Sequence, residues 1–299
     1  MEDRALPRTA WAMTKAVVTE FLEDKPFQLA AALSYYTLLS MAPLLLLLTG
    51  LAGLVFGEQT ARGQLFGYIS SEMGPQEAKV LQSLLTTVND HHASVISTII
   101  GTAVLVLGAI SVFGQLQVSL NQIWDVEAVP RKNVIMNLLG SRLLALAIVL
   151  ALAFVLLVSM AISAGIAGAQ SYADSWFPGA GIALRVVYAL VSFLIITGVI
   201  VLLFKFVPDA KIDWRDTVIG ALITSVLFTL GKYGLGVYLA HLRYSSAGAA
   251  GSLILIVVWV YYTSIILFLG AEATQVYARR FGRRIEPSEH ARRIEADCK

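Results

Sequence analysis

Residues 248–280 read GAAGSLILIVVWVYYTSIILFLGAEATQVYARR, and this stretch decides the fold. From Tyr244 to Ala271 the chain carries no charged residue, and a helix needs only about 20 apolar residues to cross a bilayer. Glu272 ends the uncharged run, and four arginines follow it between residues 279 and 284. The pattern predicts a membrane-spanning helix that ends in a basic anchor.

The composition of the whole chain agrees with this segment. Hydrophobic residues make up 57% of the 299 residues and charged residues only 14%, with a mean hydropathy of +0.74. A soluble domain normally carries about 25% charged residues. The composition therefore excludes an ordinary soluble domain and indicates a protein with several membrane spans.

Uncharged runs predict six transmembrane helices. They cover residues 29–56, 95–118, 143–166, 185–207, 217–239 and 249–273. The fifth contains Lys232, which remains compatible with a span because one lysine costs only about 3 kcal/mol on insertion scales. We predict an all-α polytopic fold in which residues 1–285 form a single integral-membrane domain and residues 286–299 form a polar cytoplasmic tail.

The basic residues predict that both termini are cytoplasmic. Most of the 22 lysines and arginines lie before the first span, in the second and fourth connections or in the tail, whereas Arg62, Lys79, Arg185 and Arg243 lie on the other side. Lysine and arginine are enriched in cytoplasmic loops. No cleavable signal pattern precedes the first span, so this span is expected to act as the membrane anchor.

Two segments outside the spans have the apolar periodicity of surface helices. Residues 8–24 predict an N-terminal helix lying in the cytoplasmic interface. Residues 57–94 predict an external amphipathic hairpin between the first two spans, broken at Gly74 and Pro75. The first arm of this hairpin carries the stripe Leu65, Phe66, Ile69 and Met73.

Polar side chains inside the spans are the candidate functional residues. In hydrocarbon such groups must meet a partner, a lipid headgroup or water. The candidates for lining a substrate cavity are Ser34, Tyr35, Tyr36, Gln115, Gln117, Asn121, Lys232, Tyr261, Tyr262 and Glu272. Helix packing is the alternative role for the uncharged members of this set.

The two charged candidates also have structural alternatives. Lys232 either extends its ammonium group to the outer interface or faces a cavity. Glu272 is interpreted as an interfacial carboxylate near Lys205, so Lys232 is the stronger functional candidate.

Helix-breaking residues lie close to the polar candidates. Pro43 lies in the middle of the first span and is expected to kink it. Gly231 and Gly234 flank Lys232, and Gly248 and Gly251 open the last span. Interrupted helices near the middle of the membrane are a common device for forming substrate sites in transporters.

Several ordered motifs resemble those of the bacterial YihY/BrkB family. They are AAALSYYTLLSMAP at residues 30–43, SVFGQLQ at 111–117, NQIW at 121–124, GAAGS at 248–252, WVYY at 259–262 and GAE at 270–272. The similarity covers about residues 15–280 and implies a multi-pass protein of the bacterial inner membrane. Some members are linked to virulence, serum resistance or envelope lipid traffic. Ala247 departs from the family pattern, which has an aromatic residue there.

Members of that family have carried the label "ribonuclease BN-like", which the residues of this chain do not support. Metal-dependent cleavage of RNA needs clustered histidines and carboxylates. The chain has four histidines, and none belongs to an H-x-H-x-D or H-E-x-x-H pattern. The tail arginines are explained by attraction to anionic lipid. We therefore expect no enzyme activity, metal, cofactor or nucleic-acid partner.

Two functions stay open. One is a translocator of lipids or amphiphilic solutes in the bacterial envelope, for which membrane lipids are the expected partners. The other is a non-transporting assembly or scaffold protein, in which the polar residues hold helices together. No nucleotide-binding loop of the G-x-x-x-x-G-K-[ST] type is present, so transport would draw on a gradient, a partner or no energy source. The sequence leaves the oligomeric state open.

Overall fold

The computed structural model describes residues 10–73, 78–79, 81–82, 108, 111–129, 158, 180–241, 248–288 and 290–294. The predicted third span, apart from residue 158, and most of the predicted second span lie outside these residues. The same holds for most of the second arm of the predicted external hairpin.

The described chain is mainly helical. Its helices are α1 (Ala10–Glu23), α2 (Pro26–Phe56), α3 (Glu58–Met73), α4 (residues 111–123), α5 (Ala180–Phe206), α6 (Trp214–His241) and α7 (Gly248–Phe281). Pro26 is the first residue of α2, where its missing N–H costs nothing and its fixed φ suits a helix. α2 continues as one helix through Pro43 to Phe56.

Three described helices are long and apolar enough to cross a membrane. The apolar segments are Val186–Phe206 in α5, Trp214–Leu235 in α6 and Leu253–Phe281 in α7. They overlap the spans predicted over residues 185–207, 217–239 and 249–273. α7 continues past residue 273 for about two more turns, to Phe281. Val276 and Ala278 in this extension are fully buried, so packing maintains the helix beyond the uncharged run.

Glycines allow α6 and α7 to approach closely. Gly220 of α6 faces Thr274 of α7, and Gly270 of α7 faces Thr224 of α6. A Cβ atom on either glycine would overlap the opposing threonine. Each threonine hydroxyl donates to the carbonyl four residues earlier in its own helix, at 2.8 Å for Thr224 and 2.7 Å for Thr274. The two helices therefore interlock through small residues, as membrane helices often do.

The largest described core cluster lies at the end of the molecule where α4 and α7 finish. Trp124 follows α4, is 1% exposed and packs edge-on against Phe204 of α5 at 5.7 Å between ring centroids. Its indole N–H donates to the carbonyl of Ala271 in α7 at 3.1 Å. Leu33 of α2, Phe21 of α1 and Ala221 of α6 belong to the same cluster, which therefore joins six helices.

A smaller apolar cluster joins α3 to the bundle. Leu65 packs with Leu45 of α2, Leu81 and Ile256 of α7, and Phe66 and Ile69 lie against the same cluster. The apolar stripe predicted for the first arm of the hairpin is thus directed into protein, with Leu65 only 6% exposed.

Two short antiparallel sheets, which were not predicted, modify the all-α expectation. β1 (Val126–Ala128) pairs with β4 (Ala291–Arg293), and β2 (Ala210–Lys211) pairs with β3 (Glu286–Pro287). Residues 286–294 of the predicted polar tail thus fold back onto the connections that follow α4 and α5. The two sheets, together with a salt bridge between Arg279 of α7 and Glu20 of α1, bring the segments rich in basic residues to one end of the bundle.

The crossing of α6 and α7 gives a first prediction. Replacing Gly220 by Ala should lower the free energy of unfolding by about 1–3 kcal/mol, the usual cost of overpacking a tight contact. The measurement is unfolding in detergent, followed by tryptophan fluorescence. Gly198→Ala is the matched control, because a Cβ there meets no atom within 4 Å. Equal stability of the two variants would contradict the described crossing.

Candidate functional site

Glu272 is the most deeply buried acidic side chain among the described residues. Its relative exposure is 0%, and in that part of the chain no N–H or O–H group donates a hydrogen bond to either oxygen of its carboxylate. The Arg279 guanidinium lies two turns later on the same helix, 3.8 Å from the Glu272 Oε1 atom. That distance permits an ion pair but is too long for a hydrogen bond.

The expected pairing of Glu272 with Lys205 is wrong. Lys205 donates instead to the carbonyl of Ile212, and its ammonium group lies 5.1 Å from the centre of the Trp214 ring. Glu272 is buried because α7 extends beyond it and is covered by α1, α2 and the end of α4.

Glu20 and Asp24 lie near Glu272, and Asp125 in turn interacts with Asp24; we call Glu20, Asp24, Asp125 and Glu272 the carboxyl cluster. Glu20 lies in the last turn of α1 and forms a salt bridge with Arg279. Asp24 and Glu272 lie close enough to interact through their side chains.

Asp125 joins the cluster from the end of α4. Its Oδ2 atom accepts a hydrogen bond at 3.0 Å from the Gln275 side chain, which lies one turn beyond Glu272. Four separate segments of the chain therefore supply the cluster and the groups that contact it.

Two sharp turns position Asp24 and Asp125. Lys25, between α1 and α2, has a φ of 54°, and Asp125 itself has a φ of 55°. Residues other than glycine rarely adopt this left-handed backbone conformation, so contacts with the surrounding chain must stabilise it. The Gln122 side chain supplies one such contact by donating to the carbonyl of Asp24 at 2.9 Å. A backbone N–H from Ile294 donates to the carbonyl of Asp125 at 2.9 Å.

The cluster changes the acidity of its members outside the spanning helices. Burial, and next the negative charge of Asp125, raise the pKa of Asp24 to about 7. Burial also raises the pKa of Asp125, although the hydrogen bond from Gln275 and the charges of Arg279 and Arg293 act against this. Asp24 therefore exchanges a proton near neutral pH, far above the ordinary range of an aspartate.

Among the residues that the structure describes, no three His, Cys, Asp or Glu side chains are grouped as metal ligands.

A second set of polar residues lies deeper in the bundle. The hydrogen bond between Trp124 and Ala271 aligns α4 with α7. Gln115 and Tyr262 each precede that bond by nine residues, or roughly 13 Å of helix. They therefore lie at a similar depth.

The other members of this set come from α2 and α6. Gly231 of α6 contacts Tyr262, since a Cβ there would lie 3.0 Å from the tyrosine hydroxyl, and Lys232 is the next residue. α2 begins beside the carboxyl cluster. At about 1.5 Å per residue, its residues 34–36 lie roughly 15–18 Å along the chain from Asp24, a depth similar to that of Gln115 and Tyr262. We call this set the mid-helix polar level, and its members are Ser34, Tyr35, Tyr36, Gln115, Lys232 and Tyr262.

The members of the mid-helix polar level differ in exposure. Ser34 is 2% exposed and donates to the carbonyl of Ala30, as packed serines in helices do. Tyr35 is 59% exposed and Tyr36 is 37% exposed. Gln115, Tyr262 and Lys232 are partly buried.

Several predicted cavity residues instead have structural contacts. Asn121 donates to the Asp209 carboxylate at 2.8 Å and accepts from the Asp209 backbone N–H at 2.8 Å. Gln117 donates to the same carboxylate at 3.2 Å, and Gln115 donates to Ser119 at 3.4 Å. Asn121 and Gln117 therefore fasten α4 to the connection after α5. Tyr261 packs partly buried against the large core cluster.

The predicted helix breakers also have different surroundings. Gly231 permits close contact with Tyr262 and Ile266, whereas a Cβ on Gly234 would meet no atom within 4 Å. Gly248 and Gly251 lie in the first turn of α7. Near Pro43, the Ser40 hydroxyl donates to the carbonyl of Thr37 at 3.1 Å.

Comparison with known proteins identifies the family. The family model described as "Virulence factor BrkB" matches residues 17–295, nearly the whole chain. The chain belongs to the BrkB family. The resemblance inferred from the ordered motifs is therefore confirmed, and the BrkB match includes every member of the carboxyl cluster and of the mid-helix polar level.

Curated relatives of this BrkB family protein are membrane proteins by name. A UPF0761 membrane protein of Stenotrophomonas maltophilia is 28% identical over 263 residues, which cover 86% of this chain and 59% of the relative. One of Azotobacter vinelandii is 30% identical over 258 residues, which cover 84% and 60%. The chain thus spans about three fifths of the length of these relatives. No solved structure matches it significantly.

Glu272 was recognised from the sequence as a candidate functional residue, but its acidic neighbours were not. Glu20, Asp24 and Asp125 lie outside the uncharged runs, so they were treated as residues of the interface or loops. One available signal was that Asp24 and Asp125 each directly flank an apolar segment. Their meeting with Glu272 depends on how α1 and α4 dock on α7, which no local pattern specifies.

The raised pKa of Asp24 gives a second prediction. Asp24 ionises from about pH 3.8 in the unfolded chain but only near pH 7 in the folded protein. The folded protein therefore loses stability as the pH rises across this interval. The melting temperature in detergent should therefore fall between about pH 4 and pH 7, and this fall should be smaller for Asp24→Asn. Glu286→Gln, at an exposed carboxyl on β3, is the control and should follow the unaltered protein. Parallel pH profiles for Asp24→Asn and the unaltered protein would contradict the assignment.

Proposed function

We propose that the protein is a multi-pass translocator of lipids or amphiphilic solutes in the bacterial inner membrane, with both termini in the cytoplasm. The observation that carries the proposal is the mid-helix polar level, to which α2, α4, α6 and α7 all contribute. In this proposal the protein acts without enzymatic chemistry, and its partners are membrane lipids.

The chemistry of the mid-helix polar level suits an amphiphilic substrate. Tyr35 and Tyr36 present large exposed surfaces that combine an aromatic ring with a hydroxyl group. Lys232 adds a positive charge within the apolar segment of α6, where charged residues commonly mark substrate pathways. An anionic headgroup would be attracted to the ammonium group, and its acyl chains would lie against apolar helix surfaces such as exposed Leu39.

A scaffold function is the second candidate, and a specific observation favours it. Asn121, Gln117 and the tail strands use their polar groups to hold connections of the chain together. A protein built only for assembly would need such contacts and no substrate path. The scaffold alternative explains the polar groups at the end of the bundle better than it explains exposed tyrosines deeper in α2.

Reconstitution into liposomes tests the proposal. Protein-bearing liposomes should move a fluorescent anionic phospholipid between leaflets faster than empty liposomes. Lys232→Met should lower the rate about tenfold, the effect of losing about 1.4 kcal/mol of interaction. Lys15→Met is the control, because Lys15 is an exposed residue on α1.

The two candidate functions give different results in this assay. Lipid movement equal to that of empty liposomes, across zwitterionic and anionic probes, would reject translocation and favour the scaffold. Equal rates for Lys232→Met and Lys15→Met would remove Lys232 from the substrate path.

A further inference from the structure

We propose that the carboxyl cluster is a proton-binding site in which Glu272 and Asp24 share a proton, and that exchange of this proton drives the translocator. The coupling to transport rests on the function proposed above. Proton binding does not, and it is tested separately.

The burial of Glu272 favours a protonated carboxyl group. An ionised carboxylate that leaves water without hydrogen bonds is strongly destabilised, and protonation removes the charge. Glu272 is completely buried, and within the described part of the chain no donor group hydrogen-bonds to its carboxylate, whose close polar neighbours include the carboxyl groups of Asp24 and Glu20. Its nearby cation, Arg279, is 3.8 Å away and is already bound to Glu20. The carboxylic acid is the form that this environment favours.

The charges around Glu272 strengthen this preference. The acidic groups that act on Glu272, Asp24 and Asp125 come from α1, the turn after it and the end of α4, whereas the basic groups come from α7 and the tail. They are Glu20, Glu23, Asp24, Asp125, Arg279 and Arg293. Carboxylates held close together cannot all be ionised at low cost, so a proton is retained between them.

Partly exposed members of the cluster provide a route for the proton. The side chain of Glu20 is 27% exposed, and Asp24 is also partly exposed. Asp24 lies between water and Glu272, and its pKa of about 7 allows it to accept and release a proton at neutral pH. The exchange is simple: one proton from water converts a carboxylate of the pair to a carboxylic acid, and its loss restores the anion.

Arg279 supplies a means by which protonation can alter the structure. When Glu272 is a carboxylic acid, the guanidinium binds Glu20 and holds α1 against α7. When Glu272 is ionised, it competes for the same guanidinium across 3.8 Å. Loss of the proton therefore weakens the contact between α1 and α7. α7 also carries Tyr262 of the mid-helix polar level, so the two sites share one helix.

Infrared spectroscopy tests proton binding without any transport assay. The protein in lipid nanodiscs is titrated from acidic to alkaline pH, and the stretching band of protonated carboxyl groups is recorded in water and in heavy water. We expect a band that disappears as the pH rises through or above neutrality, that Glu272→Gln weakens, and that Glu272→Gln together with Asp24→Asn removes. Glu286→Gln is the control and should retain it.

A second variant guards against misfolding. Glu272→Asp keeps a carboxyl group, so it should restore the band, and Asp24→Asn should shift the pH at which the band is lost. A spectrum of Glu272→Gln that is unchanged from that of the unaltered protein would overturn the proton site. So would loss of the band only at the pH of ordinary exposed carboxyl groups.

The coupling is tested in the liposomes used for lipid movement. An imposed pH gradient should change the rate for the unaltered protein, and it should no longer do so for Glu272→Gln. If the infrared band depends on Glu272 but lipid does not move, the proposed function fails and the proton site stands. If lipid moves but neither the gradient nor the infrared band depends on Glu272, the proton inference fails and the proposed function stands.

Discussion

The hydrogen bond from the Trp124 indole to the carbonyl of Ala271 is the contact on which the rest of the structure depends. It is buried, and it fixes the end of α4 against α7. In hydrocarbon or a packed core a polar group must find its partner within the protein, so this bond determines both depth and register. Glu272 is the next residue, and its burial follows directly from that register. Asp125 comes close to α7 for the same reason.

α7 combines three kinds of packing along its length. Near its start Ile256 packs in the smaller apolar cluster, and in the middle Tyr262 contacts Gly231. Towards its end Gly270 and Thr274 interlock with α6, and the face bearing Glu272 meets α1 and the end of α4. Apolar burial thus anchors the helix at both ends of the described bundle. The polar groups of α7, which include Tyr262 and Glu272, lie between these contacts or beside them. A change in the charge of Glu272 can therefore alter how the packed helices contact one another.

Hydrophobic run length predicted the three apolar helices α5, α6 and α7, whereas the site depends on tertiary contacts. The uncharged residues that end at Ala271 predicted a membrane helix, but not that the helix continues to Phe281, because buried small residues rather than hydropathy extend it. The tail strands escaped prediction because two- and three-residue pairings leave no periodic pattern. Glu272 was assigned to the interface because its partners approach from distant parts of the chain. Asn121 was assigned to a cavity because the sequence does not reveal its bonds to Asp209.

The carboxyl pair at the packed end of α7 lies close to Trp124, whose fluorescence can therefore report on the titration of the pair. The chain has five tryptophans, so the most direct measurement is a pH titration of the fluorescence of a variant that retains only Trp124. We expect a reversible change in emission with a midpoint near the pKa of about 7 assigned to Asp24, and a much smaller change when Asp24 is replaced by Asn. Emission that stays constant across neutral pH while the protein remains folded, or that changes equally in the Asn variant, would contradict the titrating carboxyl pair.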